Sequence, residues 1–318
     1  MSWWKSQRVL VTGASGFLGH HAVEALRRAG AGTIVPLRSR DYDLTRAEEA
    51  DRAMREHRPD VVVHLAGLVG GILPNKERPA EFFFVNLLLG TFTLHYAQQH
   101  SVRKFVAAGA GCGYPEHAPI PLREDSFWSG FPQQESAPYS LAKRLLTIQA
   151  QAYHRQYGFE AVIGIPGNIY GPHDNFNLSD AHVVPALVRK FTEAADDGAE
   201  SVEVWGDGKA SRDFVYAGDV AEGLLLAAER LGGGEVVNLS SGVETRVDEL
   251  VDVIVDVTGF QGRVVWNRSK PSGQARRRFD VSKAERLLGF RARTALRDGI
   301  EQTVSWYRAN RRSPALRV

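Results

Sequence analysis

Arg8-Val9-Leu10-Val11-Thr12-Gly13-Ala14-Ser15-Gly16-Phe17-Leu18-Gly19 is the stretch that decides the fold of this 318-residue chain. The apolar run 9–11 predicts a strand buried on both faces, and glycines at 13, 16 and 19 follow it at G-x-x-G-x-x-G spacing. Apolar residues then recur through Phe17, Leu18, Ala22, Ala25, Leu26 and Ala29 until Gly30, which predicts a helix over 17–29. In such a strand, turn and helix, Gly13 makes the tight turn, Gly16 lets backbone approach a pyrophosphate, and Gly19 lets helix pack on strand. The helix start turns unpaired N–H groups and a positive dipole end toward the phosphates. This is the pattern of a dinucleotide site, with Ser15, Phe17 and Leu18 completing it.

Working outward, 33–37 is the second strand, 45–57 a helix ending before Arg58-Pro59-Asp60, and 61–65 the third strand, closing in Ala66-Gly67. The end of the second strand bears on which dinucleotide fits. A carboxylate there accepts from ribose hydroxyls, whereas this chain has Arg38 and Arg40 around Ser39, and a guanidinium suits a 2′-phosphate. NADP is therefore expected over NAD, the alternative being that Asp41 or Asp43 reaches the ribose or adenine. A loop over 68–79 precedes a long helix, 80–99, that is apolar nearly all round, as burial on two sides requires. A partner subunit is the simplest cover for its second face. The fourth strand is 104–109, a second long helix runs 139–157, and 161–166 is the next strand.

This alternation predicts an α/β fold, a doubly wound parallel sheet of the Rossmann kind with a smaller, mixed α/β C-terminal lobe. The expected division is a dinucleotide-binding domain over 1–170, with returning segments near 210–240, and a substrate-binding lobe over 171–318. Short strands are expected at 202–205, 213–216, 236–239 and 263–266, two of them returning to the sheet, with a frayed end after Arg311. The net charge of +2 gives no reason to expect nucleic acid as a partner. One cysteine excludes an intramolecular disulfide and suits a reducing cytoplasm. Neither a signal-peptide core nor a bilayer-length apolar run is present in the sequence, so a soluble cytoplasmic protein is expected.

The chemistry begins at Tyr139-Ser140-Leu141-Ala142-Lys143. Four residues along a helix place a phenol and an ammonium on one face. The ammonium, with a nicotinamide cation, is expected to lower the tyrosine pKa from about 10 and make it a general acid or base. Following a glycine-rich turn, this order of motifs resembles the short-chain dehydrogenase/reductase superfamily. That superfamily keeps a serine or threonine at the end of the fourth strand to hold the substrate carbonyl, but Ala110 occupies the place here. A missing oxyanion donor costs on the order of 10²- to 10³-fold in rate.

Further motifs fall in order: Val69-Gly70-Gly71-Ile72-Leu73-Pro74-Asn75, Gly111-Cys112-Gly113-Tyr114-Pro115, Gly171-Pro172-His173-Asp174-Asn175-Phe176, His182-Val183-Val184-Pro185-Ala186-Leu187 and Trp205-Gly206-Asp207-Gly208. Together they resemble the GDP-L-fucose synthase family, whose members are 3,5-epimerase-4-reductases of a GDP-4-keto-6-deoxy-hexose. The resemblance implies Cys112 and His182 as the base and acid at C3 and C5, with Tyr139 and Lys143 serving reduction at C4. It implies NADP held by the turn at 13–19, by Arg38, Asp43 and Leu44, by Ala66 and Gly67, and by Lys143, Pro166, Asn168, Ile169 and His182. Lys190, Trp205, Arg212 and Arg277 would hold the nucleotide sugar, Lys190 standing where the family often has arginine, and Trp205 reading equally as core. No metal is expected, and a homodimer through the two long helices is. Two other readings stay open at this point: an epimerase of the GDP-mannose 3,5-epimerase type, oxidising C4 only transiently, and an NADP-binding scaffold or sensor of low activity.

Overall fold

A computed structural model describes residues 2–270 and 274–313. β1 (Arg8–Thr12) leads through the glycine turn into α1 (Phe17–Arg28), followed by β2 (Thr33–Leu37), α2 (Ala47–His57) and β3 (Val61–His64). Next come α3 (Ile72–Glu77), α4 (Pro79–Gln99), β4 (Lys104–Ala108), α5 (Ala137–Tyr157), β5 (Ala161–Pro166) and β6 (Asn168–Tyr170). The remainder runs α6 (Val183–Asp197), β7 (Ser201–Trp205), β8 (Ser211–Arg212), β9 (Phe214–Tyr216), α7 (Ala217–Arg230), β10 (Glu235–Leu239), β11 (Thr245–Arg246), α8 (Val247–Thr258), β12 (Arg263–Asn267), α9 (Ser282–Leu288) and α10 (Leu296–Asn310).

Six parallel strands form the central sheet in the order β10-β5-β4-β3-β1-β2. Side chains alternate across a strand, so β1 sends Val9 and Val11 into one core with α1 and α7, and Leu10 into another with α2, α4 and α5. Burial of both faces is why β1, β3 and β5 read as continuous apolar runs rather than alternating ones. A third core gathers Val188 and Phe191 of α6, Val204 of β7, Ile254 of α8 and Val304 of α10 with Phe176 from the loop before α6, and β7 pairs with β12 beside it.

The sequence expectations need two corrections here. The segment 68–79 is not all loop, because α3 occupies Ile72–Glu77. Of the later short strands one, not two, joins the sheet: β10 pairs with β5, whereas β9 pairs with β6. The crossover through α7 brings one strand to the open edge at β5, and β6, only one residue beyond β5, has already left the sheet and taken β9 with it. As for the frayed end, Ser313 N–H still bonds the Asn310 carbonyl, and residues 314–318 lie outside the described residues.

α4 and α5 pack side by side, with Leu146 against Gly90 and the phenol of Tyr153 bonded to His95 at 2.7 Å. Phe84 on α4 and Leu145, Ile148 and Tyr157 on α5 are exposed.

Candidate functional site

The glycine turn is built as its spacing demands. Gly13 has φ of 68°, and a Cβ there would lie 2.7 Å from the Ala66 nitrogen. One on Gly19 would lie 2.1 Å from the Gly13 carbonyl oxygen, so α1 can approach the turn only with hydrogen at that position. Gly16 is the N-cap of α1 and offers no side-chain cap, leaving first-turn N–H groups for an anion. Thr12 ties β1 to β3: its hydroxyl accepts from Leu65 and Ala66 N–H, both at 3.2 Å, and meets His64 Nδ1 at 2.9 Å. The backbone therefore makes a cradle suited to a pyrophosphate, with Ala66 and Gly67 on its wall.

At the end of β2, Arg38 is exposed, and its guanidinium forms no ion pair among the described residues, whereas Arg40 lies 3.6 Å from Asp41. Asp43 turns back on its own chain, accepting from the Thr45 N–H at 3.1 Å and hydroxyl at 2.6 Å, which holds its pKa below the usual carboxylate range. Leu44 is buried. Asp43 is thus engaged within its own chain, while the Arg38 guanidinium is exposed.

Across the sheet edge, Tyr139 and Lys143 lie one turn apart on α5. Lys143 is buried beside the end of β3: a Cβ on Gly67 would sit 3.8 Å from its Nζ and 3.0 Å from Asn86 Oδ1. Asn86, on α4, holds that loop through Leu68, accepting from its N–H at 3.1 Å and donating to its carbonyl at 3.0 Å. Burial lowers the Lys143 pKa to about 8, with Cys112 opposing. Burial, then the neighbouring Cys112, raises that of Tyr139. The sequence expectation of a lowered tyrosine pKa counted on a nicotinamide cation as well; in the protein alone, removing the phenolate from water is the largest influence and acts the other way. Tyr139 is therefore loaded with a proton, as a donor to a developing alkoxide must be.

Cys112 sits in the tight turn Gly111–Gly113 after β4 and is half-buried. The turn is pinned by its glycines, since a Cβ on Gly111 would meet Phe279 Cζ at 2.7 Å and the Pro166 carbonyl at 2.9 Å. Ala110, just before it, is buried and offers no hydroxyl. Cys112 is close enough to Tyr139, Lys143 and Arg277 to perturb all three electrostatically. Tyr139 and Arg277 each keep accessible surface although protein encloses them, the signature of a cleft floor.

His182 is the N-cap of α6. The residue is exposed, burial by surrounding protein lowers its pKa with Asp180 opposing, and no hydrogen bond or ring contact among the described residues joins it to Cys112 or Tyr139. Arg212 is brought down to about 10 by burial and by the nearby Arg277. Both guanidiniums converge on Gln274: Arg212 donates to its carbonyl at 2.6 Å and Arg277 to its side-chain oxygen. Two half-buried guanidiniums thus lie close together, an arrangement whose chemistry suits an anion. Lys190 and Trp205 do not join this group. Trp205 is half exposed at 51 %, and Lys190 and Lys270 bring Nζ to 5.7 and 5.4 Å from its ring centroid, so its reading as core is overturned. Its strand alternates, with Val202 and Val204 inside and Trp205 outside. Pro166 ends β5, Asn168 N–H bonds the Asp213 carbonyl at 2.8 Å, and Ile169 packs on the first core.

Sequence reasoning missed Asn86, whose signal was a polar residue inside an otherwise apolar helix, and a cluster of His20, His21 and His173, whose signal was the unusual pair of imidazoles directly after Gly19.

The profile of the NAD dependent epimerase/dehydratase family matches residues 9–240. The chain is 37 % identical to "GDP-L-fucose synthase 1" of Arabidopsis thaliana over 306 residues, 96 % of this chain and 94 % of that protein. Among solved structures, a GDP-L-fucose synthetase from Naegleria fowleri bound to NADP superposes with a TM-score of 0.91 at 28 % identity, covering 100 % of this chain and 97 % of that one. A GDP-6-OMe-4-keto-L-xylo-heptose reductase from C. jejuni gives a TM-score of 0.90 at 26 % identity, covering 97 % and 99 %.

Proposed function

The chain belongs to the NAD dependent epimerase/dehydratase family and, within it, to the GDP-L-fucose synthase family, and from that premise we propose that it is an NADP-dependent epimerase-reductase converting a GDP-4-keto-6-deoxy-hexose to GDP-L-fucose or a close analogue. The observation that carries the reading is the meeting of Cys112, Tyr139, Lys143 and Arg277 at the carboxyl edge of the sheet, beyond the glycine turn. Residues 1–170 with the returning segments near 210–240 hold the dinucleotide, and the lobe of 171–318 holds the sugar.

The cofactor fits the residues present: the uncapped start of α1 takes the pyrophosphate, and Arg38 takes the 2′-phosphate that distinguishes NADP. When bound, it supplies a hydride. Arg212 and Arg277 hold the diphosphate of the nucleotide sugar, while Lys190 and Trp205 serve its outer end. Hydrogens beside a ketone are acidic because the enolate is stabilised. Cys112 Sγ removes a proton at C3 and again at C5, and His182 returns one to the opposite face each time. Tyr139 Oη then gives its proton to the C4 oxygen, and Lys143 beside it stabilises the charge the phenol is left with. Gly111 and Gly113 keep backbone close to the carbonyl where Ala110 offers no hydroxyl.

None of the helices among the described residues is long and apolar enough to cross a membrane. A cytoplasmic location agrees with this and with the free thiol. The exposed Phe84, Leu145 and Ile148 support a homodimer built through α4 and α5.

Purified protein with NADPH and GDP-4-keto-6-deoxy-mannose tests the reading. Absorbance at 340 nm should fall while solvent deuterium enters C3 and C5. Deuterium entry without loss of NADPH would instead indicate a pure epimerase, and NADPH binding with neither would indicate a scaffold. Cys112→Ser should abolish deuterium entry, and undiminished exchange would exclude the thiol as base.

A further inference from the structure

His20, His21 and His173 stand outside the machinery just described, and the fold brings them together from distant parts of the chain. His20 and His21 lie in the first turns of α1, directly after Gly19, and His173 lies in the loop 171–182 that runs from β6 to His182. The His20 and His173 rings are stacked, 4.1 Å between centroids and 4° between planes. His20 Nδ1 lies 2.8 Å from the Gly16 carbonyl, which can only accept, so Nδ1 carries the proton. His21 Nε2 donates to the Pro172 carbonyl at 2.9 Å. Trp306 of α10 closes on His173 at 4.7 Å and stacks on Phe176 at 5.8 Å.

Inside this cage His173 has φ of 69°, a left-handed conformation that a residue with a side chain keeps only where its surroundings over-determine it. Onward from His173 the loop is tied again. Asn175 Nδ2 donates to Asp180 Oδ1 at 2.9 Å, and the Asp180 carbonyl accepts from Gly71 N–H at 3.1 Å, two residues before His182. An unbroken run of contacts therefore joins the phosphate turn at Gly16 to the loop that presents His182.

We propose that the His20–His173 stack is a positioning device: it couples the α1 N-terminal turn to the 173–182 loop, so that a dinucleotide seated at the turn firms the placement of His182. A phosphate on the first-turn N–H groups restrains the Gly16 carbonyl and, through it, the His20 ring. A flat ring stacked on that one has little freedom to slide, and the left-handed backbone of His173 persists only while its surroundings hold it. His20 and His173 touch no reacting atom in this account, and they act through the loop. The catalytic consequence rests on the reading of His182 above, but the coupling does not.

Contiguity alone is not coupling, so the test is a cycle of variants read by amide hydrogen exchange across 174–182 in the full chain, with and without NADPH. NADPH should slow exchange there at least about fivefold in the parent protein. His20→Ala should remove that protection while leaving the Kd for NADPH within about twofold, and His20→Phe, which keeps a flat ring, should restore most of it. His173→Asn, whose residue tolerates the left-handed backbone but does not stack, should match His20→Ala, and the double variant should be no worse than either. With the keto sugar saturating, deuterium entry should fall about tenfold in His20→Ala with KM unchanged. Absent protection in the parent, undiminished protection in His20→Ala, or additive losses in the double variant would overturn the coupling. Protection that persists in a parent protein with no sugar turnover would sustain the coupling and defeat the reading of His182 instead.

Discussion

The glycine turn after β1 and the cleft around Cys112 share one edge of one sheet, and they are built by opposite means. The turn is a single short stretch in which every requirement is local: Gly19 must lack a Cβ because Gly13, six residues earlier, puts a carbonyl oxygen 2.1 Å from where it would be. The cleft draws Cys112 from a turn after β4, Tyr139 and Lys143 from α5 and Arg277 from the segment before α9. A contiguous site is specified by backbone geometry that neighbouring residues impose on one another. A dispersed one is specified by burial and charge that no segment carries alone.

The difference can be broken from either side. The largest expected effect is on the cleft: Tyr139→Phe should lower hydride transfer about 10³-fold, read as single-turnover loss of NADPH absorbance, while leaving NADPH binding unchanged. Unchanged turnover would remove the phenol as proton donor. Gly19→Ala should do the reverse, weakening NADPH about 30-fold by titration and destabilising the fold by about 2–3 kcal/mol in urea, because backbone must move to admit the methyl. Equal affinity in that variant would mean that α1 does not need to approach the turn so closely.

Ala110→Ser should raise the rate of reduction about tenfold by restoring a donor to the carbonyl oxygen. No gain would show that the Gly111 and Gly113 backbone already performs that task. The smallest effect is on pH dependence. Lys143 titrates near 8 in the folded chain against about 10.4 unfolded, so between these values the unfolded state holds the extra proton and stability should rise with pH. Lys143→Met should flatten that rise between about pH 8 and 10, measured by urea unfolding at a series of pH values. An equal slope in both proteins would place the ammonium in a wetter site than its burial indicates.

Much of the fold was legible in the sequence because buried parallel strands must be apolar on both faces. The strands at Thr33–Leu37 and Ala161–Pro166 stand where the sequence places them, and α4 begins one residue earlier than expected. The third helix was not legible, being six residues long and containing Pro74. The partner of β9 was not legible either, since three residues of apolar strand fit any edge, and only the path of β6 out of the sheet decides which. Within the site, the placing of Trp205 on the outside of β7 depends on the phase of a strand whose neighbours, Val202 and Val204, take the inside.

What the sequence determined by itself was the glycine turn and the placing of Tyr139 and Lys143 on one helix face, because glycine spacing and a four-residue helical step act over distances no longer than about one turn of chain. Only the tertiary structure decided the charge states of those side chains and their company. It raised the Tyr139 pKa where a neighbouring lysine alone would lower it, set Arg277 against both Cys112 and Arg212, and stacked His20 on His173. The reason is that desolvation and Coulomb forces depend on everything within several ångströms of a group, and residues far apart along the chain become neighbours only when it folds.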